Sequence, residues 1–256
     1  MREFFVNLFR DDTFGPDIRL YNIWHILFLV IVLGSIIATC IFTYNKSEET
    51  KSKILDVLAI IIICLYLGDF FVHPLMNNEN SLIVDKLPFH LCTSASILIC
   101  ITRLFPDKFK RLYHVVPVLG MIGAMLYIFV PTGVDECKLF CYRSLQTLTY
   151  HALLFSYGIF SIVYKSVNME WKNMITVSIL VVAQIIISLI ANNVYSTPDH
   201  HYDWYFTTGS FGIPSKLMPF AIFVCFVGQF ALVYVLVLFI RYLINKKNNK
   251  EVALAE

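Results

Sequence analysis

The chain has 256 residues, of which 58% are hydrophobic and 15% are charged, and its mean hydropathy is +0.69. Charged residues make up about 25% of an ordinary soluble domain, so this composition excludes both a soluble globular protein and a disordered chain. A net charge of +2 is too small to predict the strongly basic surface that binds a nucleic acid. The seven cysteines lack the even, close spacing of a disulfide framework. The composition predicts a polytopic helical membrane protein.

Seven apolar segments are long enough to cross a bilayer as helices, which takes about 20 residues each. In chain order they are residues 21–44, 54–74, 87–105, 112–131, 144–164, 173–195 and 218–244. We therefore predict a single all-α domain, a bundle of seven transmembrane helices. Residues 1–20 place phenylalanine beside arginine and glutamate, which predicts a short interfacial helix rather than a signal peptide.

The orientation follows from lysine and arginine in the segments between the spans. Thirteen of these residues fall on the side that holds the C-terminus, and seven fall on the opposite side. Because cytoplasmic loops carry the excess of positive residues, the N-terminus is expected outside and the C-terminus in the cytoplasm of a multi-pass cell-membrane protein.

Polar side chains within the spans are concentrated in the half of the bundle that this topology places outside. They are His25, Asp69, His73, His90, Cys92, His151, Asn192, Asn193 and Tyr195. At about 1.5 Å per residue, Cys92 and His151 lie about 8 and 10 Å below the starts of their helices. Since polar groups in hydrocarbon are unfavourable, we expect one ionisable pocket there. Asp69 and His73, four residues apart, are either an oriented pair or members of structural hydrogen bonds, and His25 is more simply a structural helix-end residue.

A cysteine and a histidine at similar depth suggest nucleophilic chemistry. Residues 87–92 read Leu-Pro-Phe-His-Leu-Cys, with the proline expected to open the helix. Two positions on a helix differ by about 200°, so His90 is not the obvious base for Cys92, whereas His151 from another helix is better placed. An imidazole that takes the thiol proton produces a thiolate, which attacks an ester and holds the acyl group as a thioester.

These residues resemble a known family, the YwaF-like, or transmembrane protein 164, acyltransferases. Residues 87–92 resemble its Pro-Leu-His-Leu-Cys signature, and residues 120–124 with Pro131 resemble its fourth helix. Residues 145–151 are similar to its pattern of a glutamine leading to a histidine, and residues 192–195 with Pro198 are similar to its Asn-Tyr element. The motifs occur in order and extend from about the second helix to the seventh.

The resemblance implies a seven-helix enzyme that moves fatty acyl groups between phospholipids and lysophospholipids, with no cofactor or metal. It implies Cys92 as the nucleophile and His151 as the base. Supporting or oxyanion positions are expected at His90, Asn192, Asn193 and Gln146. Phe89 replaces the usual leucine, and residues 199–204 have no counterpart in the family pattern, so the headgroup and acyl preferences do not follow from the resemblance.

Other functions share some of these residues. With water as the acceptor, the same cysteine and histidine would make a lipid esterase. A transporter could use Asp69, His73 and His151 as a proton relay, although no Gly/Pro-interrupted pair of helices supports it. A non-catalytic lipid-binding protein also remains open. A metal site is disfavoured because no His-x-x-His or Cys-x-x-Cys spacing is present. Cys137 and Cys141 could pair as a disulfide in an oxidising compartment.

Overall fold

The computed structural model describes residues 15–76, 84–130, 137–198, 201–207 and 213–255. Within these ranges the chain forms seven α-helices and no strand, which confirms the predicted all-α class. The helices are α1 (Ile23–Thr43), α2 (Glu48–Met76), α3 (Leu91–Leu104), α4 (Lys110–Phe129), α5 (Tyr142–Val163), α6 (Asn173–Tyr195) and α7 (Met218–Ala255). Short 3-10 turns occupy Val84–Lys86, Trp204–Phe206 and Ser215–Leu217.

Each helix coincides with one predicted span, but three boundaries differ by more than two residues. The second and seventh helices extend into polar sequence, since α2 begins at Glu48 and α7 ends at Ala255. The third helix starts at Leu91 rather than at residue 87, because His90 has an extended backbone (φ −88°, ψ 151°) and forms the N-cap. The prediction that Pro88 opens this helix is therefore wrong. Of the predicted N-terminal helix, residues 1–14 lie outside the described residues, and residues 15–20 are not helical.

Five segments among the described residues are long and apolar enough to cross a membrane: α1, residues 48–71 of α2, α4, α6 and residues 215–246. The remaining two helices are α3, which has 14 residues, and α5, which has 22 but carries many polar side chains. The helices that bear Cys92 and His151 are thus the least typical membrane helices of the bundle. Their polar content is tolerated because both pack inside the protein.

Helix α4 forms the centre of the bundle, since every residue from Val115 to Ile122 is buried. A helix that is apolar all round is stable only when neighbours cover it, and α3, α5, α6 and α7 all pack against α4. Helix α1 is peripheral and leaves most of its large apolar side chains exposed, as a lipid-facing helix does.

Two polar clusters fix the ends of the bundle. At one end Arg103 joins three helices, because Nε donates to Asp56 Oδ1 (2.8 Å) and Nη1 donates to the Tyr113 hydroxyl (2.9 Å). At the other end His25, which is fully buried, donates from Nε2 to the Ile128 carbonyl (2.8 Å). His25 therefore ties the start of α1 to the end of α4, in agreement with a structural role.

The segment before α1 is held against the segment before α5. The Leu139 N–H donates to the Pro16 carbonyl (2.8 Å), and Lys138 Nζ donates to Asp17 Oδ1 (2.6 Å). The hydrogen bond and the charge of Lys138 lower the pKa of the Asp17 carboxyl.

The two cysteines in the segment before α5, Cys137 and Cys141, are not joined by a disulfide, and both are buried. Cys141 is the N-cap of α5, where its sulfur accepts a hydrogen bond from the Ser144 N–H (3.4 Å). The disulfide between Cys137 and Cys141 that the sequence left open is therefore not formed. The sulfur of Cys141 instead accepts a hydrogen bond from a backbone N–H group in the first turn of α5, which has no partner within the helix.

Gly158 sets the closest approach between α4 and α5. A Cβ atom at this position would overlap Met121 and lie 2.6 Å from the Pro117 carbonyl oxygen. We expect Gly158→Ala to lower the free energy of unfolding by about 1–3 kcal/mol, the usual effect of overpacking. Thermal unfolding in detergent micelles measures this change.

The matched control is Gly34→Ala in α1, where a Cβ atom meets nothing within 4 Å. This variant should be as stable as the wild type or slightly more stable, since alanine has the higher helix propensity. Equal unfolding midpoints for the two variants would contradict the close packing at Gly158.

Candidate active site

Cys92 lies in the first turn of α3, where neighbouring helices hold its backbone. Tyr150 of α5 donates its hydroxyl proton to the Cys92 carbonyl oxygen (2.9 Å), and the Ser96 hydroxyl contacts the same oxygen (2.9 Å). On the α4 side, a Cβ atom at Gly123 would lie 3.5 Å from the Cys92 nitrogen, so the backbones of α4 and α3 come close together here. The position of the thiol is therefore set by α4 and α5 together.

His151 is buried on α5 beside the residue that holds Cys92. Its Nδ1 donates to the Thr147 carbonyl oxygen (2.8 Å), so in the neutral ring Nε2 is the acceptor. The ring stacks on Tyr127 of α4 with centroids 4.0 Å apart and meets the Tyr150 ring edge-on at 5.0 Å. The imidazole is thereby fixed in one plane and one tautomer.

Cys92 and His151 share neighbouring residues on α4 and α5. Gly123 approaches the Cys92 backbone, and Tyr127, one turn further along α4, stacks on His151. Tyr150 completes the set because it touches both the cysteine carbonyl and the histidine ring. In the part of the chain described, no hydrogen bond joins the thiol directly to the imidazole. Catalytic contacts are often longer in a free enzyme than in the substrate complex.

His90 adopts the opposite tautomer to His151. Its Nδ1 accepts a hydrogen bond from the Tyr205 backbone N–H (3.2 Å), so the proton of the neutral ring is on Nε2. Because His90 is the N-cap and not part of α3, the argument from helical angles in the sequence does not apply to it. His90 makes no side-chain cap bond to α3, so its ring does not satisfy the first N–H groups of that helix.

Helix α6 holds the extended segment before α3. The Phe89 carbonyl oxygen accepts from Gln184 Nε2 (2.6 Å) and from the Ser188 hydroxyl (2.7 Å). Ser94 in turn donates to Gln184 Oε1 (2.8 Å). These bonds satisfy an irregular backbone that would be unstable in hydrocarbon, and they fix the spacing between His90 and Cys92.

The polar residues at the end of α6 have separate surroundings. Asn192 is buried and uses its whole amide on the turn that follows: Oδ1 accepts from the Trp204 N–H (2.8 Å), and Nδ2 donates to the Trp204 carbonyl (3.1 Å) and to Thr207 (2.7 Å). Asn193 is exposed. Tyr195 is 40% exposed and packs beside Trp204. The structure does not bring these three side chains to Cys92; Asn192 anchors the 204–207 turn.

Asp69 is paired with Lys86; the side chain of His73 lies outside the described residues, so the predicted Asp69–His73 pair stays a prediction. Asp69 Oδ2 and Lys86 Nζ are 2.6 Å apart, with the side chains 7% and 23% exposed. The Tyr66 hydroxyl donates to the Lys86 carbonyl (2.9 Å), which fixes the backbone of this lysine. The pair joins α2 to the segment before α3, close to the candidate site.

Gln146 also joins two elements, since its Nε2 donates to the Leu65 carbonyl of α2 (3.1 Å) and its Oε1 accepts from Thr147 (3.0 Å). It therefore binds α5 to α2 one turn away from His151. Within the described ranges, no group of three or more His, Cys, Asp and Glu side chains is arranged to hold a metal ion.

Four residues of the site were not identified from the sequence: Lys86, Tyr127, Tyr150 and Tyr205. Tyr127 and Tyr150 resemble ordinary core aromatics in the sequence, although the position of Tyr150 next to His151 was a usable signal. Lys86 entered the sequence analysis only as one of the positive loop residues that predict the membrane orientation. Tyr205 belongs to the 199–207 region, where no periodic pattern predicts a buried side chain.

Removing one member of the Asp69–Lys86 pair should be strongly destabilising. Lys86→Met leaves a buried carboxylate without its partner, and we expect a loss of about 3 kcal/mol or more in the free energy of unfolding. The double variant with Asp69→Asn removes the isolated charge and should recover a large part of that loss. Thermal unfolding of both variants in micelles tests the pair.

Lys138→Met is the matched control, because Lys138 pairs with Asp17 at a more exposed site, with side chains 33% and 47% exposed. Exposed pairs contribute about 0–1 kcal/mol. If Lys86→Met were no more destabilising than this control, the Asp69–Lys86 pair would not make the expected contribution to the free energy of unfolding.

Comparisons with known proteins agree with the family that the motifs resemble. The model of the TMEM164 family matches residues 20–242. Neither the curated proteins nor the solved structures contain a match to the chain. The family match includes α1 to α6 and most of α7, and with them Cys92, His151 and His90. The chain is therefore a multi-pass membrane protein that belongs to the TMEM164 family.

Proposed function

We propose that the chain is a membrane-bound acyltransferase that moves fatty acyl groups from phospholipids to lysophospholipids through a thioester on Cys92. The observation that carries this proposal is the pair of opposite histidine tautomers around the cysteine. His151 presents an unprotonated Nε2, as a general base requires, and His90 keeps its proton on Nε2, as a hydrogen-bond donor requires. One backbone partner for each ring fixes these states.

The first step forms the nucleophile and the acyl-enzyme. His151 takes the thiol proton of Cys92, and the thiolate attacks the carbonyl carbon of a phospholipid ester. The start of α3 favours the negative charge, since the positive end of the helix dipole lies there. As the S–C bond forms, the carbonyl electron pair moves to oxygen, where the His90 Nε2–H is a candidate donor.

The second step exchanges the leaving lipid for an acceptor. The tetrahedral intermediate collapses, the ester C–O bond breaks, and protonated His151 gives its proton to the lysolipid oxygen. A second lysolipid then loses its hydroxyl proton to His151 and attacks the thioester. Cys92 leaves as a thiolate and recovers the proton, which returns the site to its starting state.

The surroundings favour a substrate that arrives from the membrane. Many large apolar side chains on the outer faces of α1, α2, α6 and α7 are exposed, so these faces contact lipid tails in a bilayer. The site lies between helices at one end of this bundle. A lipid ester near the headgroup level can therefore meet Cys92 without leaving the membrane.

Intact-protein mass spectrometry in phosphatidylcholine liposomes tests the covalent step. We expect an acyl-sized adduct on the wild-type protein that is absent from Cys92→Ala, because no other thiol has this environment. His151→Ala should slow adduct formation by about 100-fold or more, the usual contribution of a general base. Cys100→Ala on the same helix is the matched control and should form the adduct at the wild-type rate.

Added lysophosphatidylcholine decides the acceptor. Loss of the adduct with formation of new diacyl lipid supports acyl transfer, whereas release of free fatty acid alone would make the protein an esterase. Full turnover in Cys92→Ser or Cys92→Ala would exclude the nucleophile assignment. Absence of both adduct and lipid turnover in the wild type would favour transport or non-catalytic lipid binding.

A further inference from the structure

Tyr205 has a buried hydroxyl that makes no hydrogen bond to any of the described residues. The side chain is 2% exposed, and the hydroxyl is one of three buried side-chain polar atoms in the described ranges without a partner. An unsatisfied buried polar group destabilises a fold, because it has lost its hydrogen bonds to water and gained none in return. A group kept in this state therefore calls for an explanation such as an absent ligand or a catalytic role.

The backbone at Tyr205 is also held in an unfavourable conformation. Tyr205 and Phe206 have φ angles of 62° and 55°, two successive left-handed residues with bulky side chains. The turn persists because the Asn192 side chain bonds both the N–H and the carbonyl of Trp204, one residue earlier. Strain that neighbouring contacts maintain in this way is concentrated at functional sites.

Two contacts hold Tyr205 beside the start of α3. Its ring stacks on Phe226 of α7 with centroids 5.2 Å apart, and its N–H donates to His90 Nδ1 (3.2 Å). His90 is the N-cap of α3, two residues before Cys92, so Tyr205 contacts the segment that leads into the candidate site.

We propose that the Tyr205 hydroxyl is a catalytic residue, a hydrogen-bond donor to the lipid carbonyl oxygen as that oxygen becomes the oxyanion of the tetrahedral intermediate on Cys92. This inference rests on the acyltransferase function proposed above. A donor that has no other partner need not break a bond before it serves the oxyanion, which is the condition for electrostatic preorganisation.

The proton of Tyr205 stays on the tyrosine throughout. As the Cys92 Sγ–C bond forms, the π electron pair of the carbonyl moves to oxygen, and the tyrosine hydroxyl hydrogen-bonds to that oxygen. When the pair returns and the ester C–O bond breaks, the leaving oxygen takes its proton from His151. The tyrosine is then free for the second half of the reaction, which repeats the same changes in reverse order.

Tyr205→Phe isolates the hydroxyl, because the ring and its stacking on Phe226 remain. We expect the rate of acyl-adduct formation in phosphatidylcholine liposomes to fall by about 100-fold or more, as when one oxyanion donor is removed. The thermal unfolding midpoint should stay unchanged or rise, since the hydroxyl has no hydrogen bond to lose. Alkylation of Cys92 by iodoacetamide should keep its wild-type rate, because that reaction develops no oxyanion.

Tyr164→Phe is the matched control at the other end of the bundle, where the Tyr164 hydroxyl and Thr43 Oγ1 are hydrogen-bonded at 2.8 Å. It should lower the unfolding midpoint and leave the rate of adduct formation unchanged. This pattern is the opposite of that expected for Tyr205→Phe.

Three results would overturn the role of Tyr205: adduct formation at the wild-type rate, a lowered unfolding midpoint that accounts for the lost rate, or a parallel fall in iodoacetamide alkylation. The last would show that the hydroxyl acts on the thiol and not on the oxyanion. A wild-type protein that forms neither the adduct nor new diacyl lipid would instead refute the acyltransferase proposal, and the role of Tyr205 with it.

Discussion

The structure depends on hydrogen bonds that satisfy the polar backbone groups of an extended segment inside the membrane bundle. Residues 88–90 precede α3 without helical hydrogen bonds, and hydrocarbon offers no water to replace them. Gln184 and Ser188 of α6 supply two donors to the Phe89 carbonyl, which makes this irregular segment stable. As a result α3 begins only at Leu91, and Cys92 occupies its first turn. The polar residues in the middle of α6 thus have a structural task that bears directly on the site.

The candidate site is built from rigid contacts rather than from loops that adjust to a ligand. Tyr150 fixes the Cys92 backbone, Tyr127 fixes the plane of His151, and backbone partners set the tautomers of both histidines. The Asn192 side chain fixes the 204–207 turn in the same way, through hydrogen bonds to Trp204 and Thr207. Each reactive group is therefore held by a second group that does no chemistry itself, which is the usual requirement for a preorganised site.

Much of the fold could be predicted from the sequence because the bilayer imposes one strong rule, about 20 apolar residues for each crossing. All seven segments correspond to helices, and the contacts of Tyr150 with both Cys92 and His151 agree with the similar depth that residue numbers predict for these two residues. The start of α3 was mispredicted because the local preference of proline for a first helical turn was overridden by the tertiary bonds from α6. Asp69–Lys86 was missed because a pair across 17 positions depends on how the intervening segment returns. Tyr205 could not be identified at all, since its burial depends on the Asn192 contacts and not on any periodic pattern.

The tautomer of His90 also makes the local structure sensitive to protons. Its Nδ1 is an acceptor for the Tyr205 N–H, so a second proton on the ring would set two donors against each other across 3.2 Å. Acid would then repel the 204–207 turn from α3 and separate the residues that the neutral ring joins. The neutral imidazole of His90 thus holds the 204–207 turn against the start of α3, and the charged imidazole would release it.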